Sequence, residues 1–234
     1  MTMATAIDVF PSRWRAALAY GLLAAVLTVT VALPIATVWR GAPIGVDTLG
    51  PLNLFAGQMV LATFLLAWFA LQGGRSWRAF LSVPSGHWIA RIARGIRVGL
   101  LGWLITIAAM VVLSAFARGA DVAPQEGFTD LVVWMARRPL ALRVLVIAVA
   151  MVVEEAFFRA FLQPRFGIAT ATLCFALSHV NYGSPIMGGG VFVIGLVLGV
   201  AFRRYGDLVV CAVAHGVFDA IQLLVILPLV ASRL

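Results

Sequence analysis

The chain has 234 residues, 63% of them hydrophobic and only 11% charged, whereas a soluble domain is roughly half apolar and about a quarter charged. With a mean hydropathy of +1.05 it would leave large apolar areas exposed in water, so a soluble globular fold is excluded and the solvent must itself be apolar. The net charge of +8 comes from 17 arginines and no lysine, set mainly between or at the ends of apolar runs; membrane flanks look like this under the positive-inside rule, and no polar domain exists to carry a nucleic-acid face.

Met1 to Pro11 holds Asp8 and no basic residue ahead of an apolar run, so no cleaved signal peptide is expected. A spanning helix needs about 20 mostly apolar residues. The first candidate runs from about Ala16 to Val38, between Arg15 and Arg40, with Pro34 as a kink site. The second runs from about Leu54 to Leu71 and stops at Gln72-Gly73-Gly74-Arg75. From Arg75 to Arg97, arginines at 75, 78, 91, 94 and 97 alternate with Trp77, Phe80, Trp88, Ile89, Ile92 and Ile96. That mixture predicts an interfacial segment, with an amphipathic helix starting near Ser85. A third span follows from Val98 to Phe116, then an exposed stretch, Arg118 to Arg138, carrying Asp121, Glu126 and Asp130.

The fourth span covers Pro139 to Phe161 and ends at Gln163-Pro164-Arg165. The fifth (Gly167 to Val180) and sixth (Gly188 to Phe202) are short, which suits helices placed beside others around a cavity. The seventh runs from Leu208 to Val230, with a break expected near Pro228. Seven spans with the amino terminus inside put arginines 13, 15, 75, 78, 91, 94, 97, 159, 165, 203 and 204 on the cytoplasmic side. Six fall outside, at 40, 118, 137, 138, 143 and 233, and the bias supports this orientation. The expected fold is an all-α, polytopic membrane bundle of seven or eight helices around an intramembrane polar site. It forms one membrane domain over residues 1–234, with amino-terminal spans and the interfacial segment in 1–138 and a core in 139–230. Cys174 and Cys211 lie in apolar runs and read as packing residues.

An ionisable residue in a spanning helix is unfavourable by at least ~2.5–3.5 kcal/mol on insertion scales and so asks for a reason. The exceptions cluster: Glu154, Glu155 and Arg159 in span four, His179 ending span five, His215 and Asp219 in span seven. Arg143 sits near a helix end, where it can snorkel, and Asp207 falls in a loop. Glu155 and Arg159, four apart, share a helix face and form an ion pair. Glu154 points about 100° away and lacks that partner, which suits it to general-base work. His215 and Asp219 are four apart, as are Phe175 and His179. Glu154, His179 and His215 converging at membrane depth could hold a nucleophilic water, or serve as three zinc ligands with an open fourth position. Spacing leaves both open. Gly195-x-x-x-Gly199 and Gly188 to Gly190 read as sites of close helix packing, and His87 as a surface residue.

On these motifs the sequence resembles the CPBP family of intramembrane proteases, the CAAX-processing or Abi family. Glu154-Glu155-Ala156-Phe157-Phe158-Arg159 matches its Glu-Glu-x-x-x-Arg motif, and Phe175-Ala176-Leu177-Ser178-His179 its Phe-x-x-x-His motif. His215-Gly216-Val217-Phe218-Asp219 matches its final His-x-x-x-Asn/Asp motif. The likeness covers about Ala141 to Leu224. The Asp at 219 is the form of the prokaryotic branch and leaves a prenylated substrate open. The resemblance implies an endopeptidase of the inner (plasma) membrane acting on a membrane-associated peptide or lipid-anchored protein. In it Glu154 is the base on a water also held by His179, His215 and Asp219 stabilise the oxyanion, and Glu155 and Arg159 shape the site. It favours a metal-free mechanism, with zinc on Glu154, His179 and His215 as the alternative. The competing readings are a non-enzymatic scaffold or bacteriocin-immunity protein, and a small transporter or proton relay.

Overall fold

The computed structural model describes residues 8–41, 51–74, 76–119, 133–182 and 184–233; the expectations for Arg75, Asp121, Glu126 and Asp130 lie outside them. Among the described residues the regular structure is helical, with no strand. We label α1 Arg13–Trp39, α2 Asn53–Gln72, α3 Trp77–Phe80 and α4 Trp88–Gly119. Next comes α5, residues 140–166, then α6, residues 168–178, α7 Pro185–Tyr205 and α8 Leu208–Ala231. Five of these, α1, α2, α4, α7 and α8, are long and apolar enough to cross a membrane. The remaining two expected spans, α5 and α6, form as helices. They carry the intramembrane charges or fall short in length, which is why they sit among the others.

Three prolines shape the long helices in the same way. π-helical turns occupy Thr28–Ala32, Ala156–Leu162 and Ile221–Ile226, each ending two residues before a proline: Pro34, Pro164 and Pro228. A proline has no N–H, and its ring collides with the carbonyl four residues back, so the ladder there widens instead of closing normally. The expected distortions at Pro34 and Pro228 are thus present as widened turns. Pro164 does not end the fourth helix as its sequence setting suggests. The helix continues past it and breaks at Gly167, whose φ of 83° and ψ of 168° lie where only glycine is comfortable.

The interfacial segment is also corrected. No separate amphipathic helix precedes a third span: Trp88–Gly119 is one helix of 32 residues, about 48 Å long against a hydrocarbon core of about 30 Å. Nothing between Ile96 and Val98 stops it, and its arginine-bearing first turns project beyond the apolar layer. Gly95, Gly99 and Gly102 line one face of α4. A Cβ at Gly95 would lie 2.6 Å from the Val213 side chain, and one at Gly99 2.6 Å from the Ala214 carbonyl. At Gly102 it would meet Ile194 at 2.9 Å. The α4 backbone therefore rests directly on α8 and α7, as small residues permit in membranes. Gly195 and Gly199 do the same for α7 against Phe175 and Ile168 of α6, whereas Gly188 has open space.

Inside, Phe64, Trp68, Phe157 and Phe161 form a buried aromatic cluster joining α2 to α5, with ring centroids 4.7–5.8 Å apart in edge or offset contacts. Outside, α4 shows Leu101, Leu104, Val111 and Phe116 on its surface, as a lipid-facing helix should. One end of the bundle is tied by polar contacts. Arg165 Nε donates to Asp8 at 2.8 Å, and Gln72 donates to the same carboxylate at 2.6 Å. Arg91 clamps Asp207 through two bonds of 2.6 and 2.8 Å. Asp207 lies in the short connection between α7 and α8, as expected, but it is buried, accepts from Val209 N–H as the cap of α8, and pins α4 to it. Arg143, near the start of α5 as expected, donates its Nη1 to the Leu223 carbonyl at 2.9 Å, within the widened turn of α8. His87 is exposed, as expected.

Candidate active site

The polar residues meet where α5, α6, α8 and α2 face one another. Glu154 and Glu155 are the last two residues before the π turn of α5, and both are buried. Such widened turns recur at functional sites because they re-aim side chains that a regular helix would stack. Here the cause is Pro164, ten residues downstream of Glu154 and nine downstream of Glu155.

Glu155 has no exposed surface and Arg159 none either; their ion pair, Nε to Oε2, is 3.2 Å. The Arg159 guanidinium also lies over the Phe175 ring at 4.9 Å. The expected pairing of these two is present. Glu155 has a second partner that helical spacing did not reveal: His215 Nδ1 stands 3.0 Å from its Oε1. The other ring nitrogen, Nε2, stands 3.3 Å from Asp219 Oδ2. His215 is thus held between two carboxylates on different helices.

Glu154 forms the other group. His179 Nε2 lies 3.6 Å from its Oε2, and that oxygen, although buried, makes no hydrogen bond. His179 caps α6, and its Nδ1 is 2.8 Å from the Phe175 carbonyl and 3.1 Å from Ser178 Oγ. A carbonyl can only accept, so Nδ1 carries the hydrogen and Nε2 is turned toward Glu154. Glu154, expected to lack a cationic partner, accepts at Oε1 from the neutral amide of Gln58, Nε2 at 2.9 Å. Gln58 comes from α2. The one signal that could have found it is its amide in an otherwise apolar span.

The structure therefore brings the six expected residues together in two groups. Glu154 and His179 face each other; Glu155, Arg159, His215 and Asp219 form a connected chain beside them. Both ring nitrogens of His215 are engaged, by Glu155 and Asp219. This bears on zinc. Among the described residues no group of three or more His, Cys, Asp or Glu side chains is placed to hold a metal ion.

With this geometry in view, the comparison with known families is specific. Residues 136–221 match the Rce1-like family, type II CAAX prenyl endopeptidase. The match includes every motif residue from Glu154 to Asp219 and agrees with the CPBP-type protease that those motifs resemble. It leaves Gln58 and the first three spanning helices outside. The chain has no match among curated proteins and none among solved structures.

Proposed function

We propose that this protein is an intramembrane endopeptidase that hydrolyses a peptide bond of a membrane-associated or lipid-anchored protein, with Glu154 as general base and no metal. The observation that carries this reading is the pair Glu154–His179, in which a buried carboxylate oxygen without a hydrogen bond faces an imidazole nitrogen at 3.6 Å. Both atoms are acceptors in the tautomer that the Phe175 carbonyl selects. Two acceptors across such a gap are bridged by a donor to both, and a water molecule is the simplest one. Glu154 takes a proton from that water, whose oxygen bonds to the scissile carbonyl carbon while the carbonyl electron pair moves onto oxygen. Glu154 then returns the proton to the leaving nitrogen, the C–N bond breaks, and an acid and an amine separate.

His215 is the donor to the oxyanion. Glu155, held by Arg159, fixes the ring at Nδ1. Asp219, with 22% of its side chain exposed, is the partner that the oxyanion displaces at Nε2. The family description makes a prenylated CAAX-type peptide the first substrate to try. A second reading, a non-enzymatic scaffold, draws on the contacts that link Glu155, Arg159, His215 and Asp219 to one another. Substitution separates the two. Glu154→Ala and His179→Ala should each abolish cleavage in membranes at unchanged protein level and unchanged Tm. Retained cleavage in both variants would sink the protease mechanism, and cleavage surviving a chelator is expected with it.

A further inference from the structure

We infer that Gln58 is a positioning residue for Glu154, so that α2, outside the family-matched segment, supplies part of the catalytic machinery; this rests on the protease reading above. The carboxylate at 154 has two oxygens with different surroundings. Oε1 accepts from Gln58 Nε2 at 2.9 Å; Oε2 makes no hydrogen bond and faces His179. The amide orientation is dictated by chemistry: a carboxylate accepts, so the NH2 of Gln58 must point at it. An unrestrained carboxyl group rotates about its last torsion and exchanges its two oxygens. With Oε1 tied to α2, Oε2 alone is presented to His179 and to the water between them.

The placement of Gln58 supports a task beyond packing. Its neighbours on α2, Leu61, Phe64, Leu65 and Trp68, pack as an apolar face, and a polar side chain in a spanning helix is unfavourable without a partner. The α2 helix is held against α5 by the Phe64, Trp68, Phe157 and Phe161 rings, which makes it a rigid support rather than a loop. Beside the Glu155–Arg159 pair on α5, Gln58 gives Glu154 the polar tie that it lacks within its own helix.

The test compares Gln58→Met, which keeps the length and removes the donor, with Glu154→Gln in nanodiscs. Cleavage of a fluorescence-quenched, S-farnesylated CAAX-type peptide is followed together with thermal unfolding. The expected result for Gln58→Met is a kcat lower by about ten- to hundredfold, the worth of a hydrogen bond to a charged group, at unchanged KM and unchanged Tm. A kcat within twofold of the unsubstituted protein overturns the inference. So does a rise in KM alone, which would make Gln58 a substrate contact, or a loss of activity that follows a loss of Tm, which would make it structural. If Glu154→Gln stays active, the protease reading itself fails, whatever Gln58→Met does.

Discussion

Glu154 and Glu155 are adjacent in sequence and opposite in use, and the difference lies in what each touches. Glu155 is tied to Arg159 and His215, so its replacement should damage the fold before the chemistry. Removing Arg159 as Arg159→Met leaves a fully buried carboxylate without its cation, a change of about 3–5 kcal/mol. A drop in Tm and in protein level is expected; an unchanged Tm would show that His215 alone suffices to hold Glu155. Glu154→Gln should instead leave Tm unchanged and lower kcat by roughly 10²–10⁴, the range for loss of a general base. Much of this was legible from spacing alone, since Glu155 and Arg159 lie four apart on one helix, as do His215 and Asp219. What spacing cannot carry is contact between helices. The bond from His215 to Glu155 spans 60 positions and that from Gln58 to Glu154 spans 96, and neither leaves a periodic trace.

At the scale of elements, the π turn of α5 ties a proline to the site. Pro164 ends neither the helix nor the span; it widens the turn from Ala156 to Leu162, and Arg159 sits inside that turn. Pro164→Ala restores the missing N–H and removes the ring clash, which should let this segment close as ordinary α-helix. The variant should unfold at a higher temperature, because proline in a helix interior is unfavourable by about 3 kcal/mol. It should cleave roughly a hundredfold more slowly, because shifts of about 1 Å in catalytic groups have that effect. Faster cleavage, or unchanged cleavage with raised Tm, would show that the widened turn is dispensable. The sequence signals were ambiguous here for a physical reason: a proline after an apolar run marks a helix end in water, yet spanning helices re-satisfy the freed carbonyls and continue. Gly167, two residues past Arg165, was the true stop. The same limit applies to α4, where an amphipathic pattern followed by an apolar one looked like two helices. A single continuous helix meets both solvents, headgroup and hydrocarbon, along its length.

For the whole molecule, charge is arranged by end. The end that gathers the start of α1, α3, the start of α4 and the α7–α8 junction carries Arg13, Arg15, Arg78, Arg91, Arg94, Arg97, Arg165, Arg203 and Arg204 among the described residues. Its two described acids, Asp8 and Asp207, are both consumed by ion pairs, with Arg165 and Arg91. The remaining seven arginines have no carboxylate to meet there, and Trp14, Trp77 and Trp88 lie exposed among them, as aromatic residues do at a membrane–water interface. By the positive-inside rule we propose that this end faces the cytoplasm, which would place the amino terminus inside and the end of α8 outside. The assignment is testable in a background lacking Cys174 and Cys211, with Ser85→Cys at the arginine-rich end and Ser232→Cys at the other. A membrane-impermeant maleimide added to intact cells should label the residue at 232 and spare that at 85, and the opposite pattern would invert the molecule. Changing Arg94, Arg97, Arg203 and Arg204 together to Gln should then produce a mixed population labelled at both positions, because the charge difference that holds the orientation would be reduced while every helix remained long enough to span.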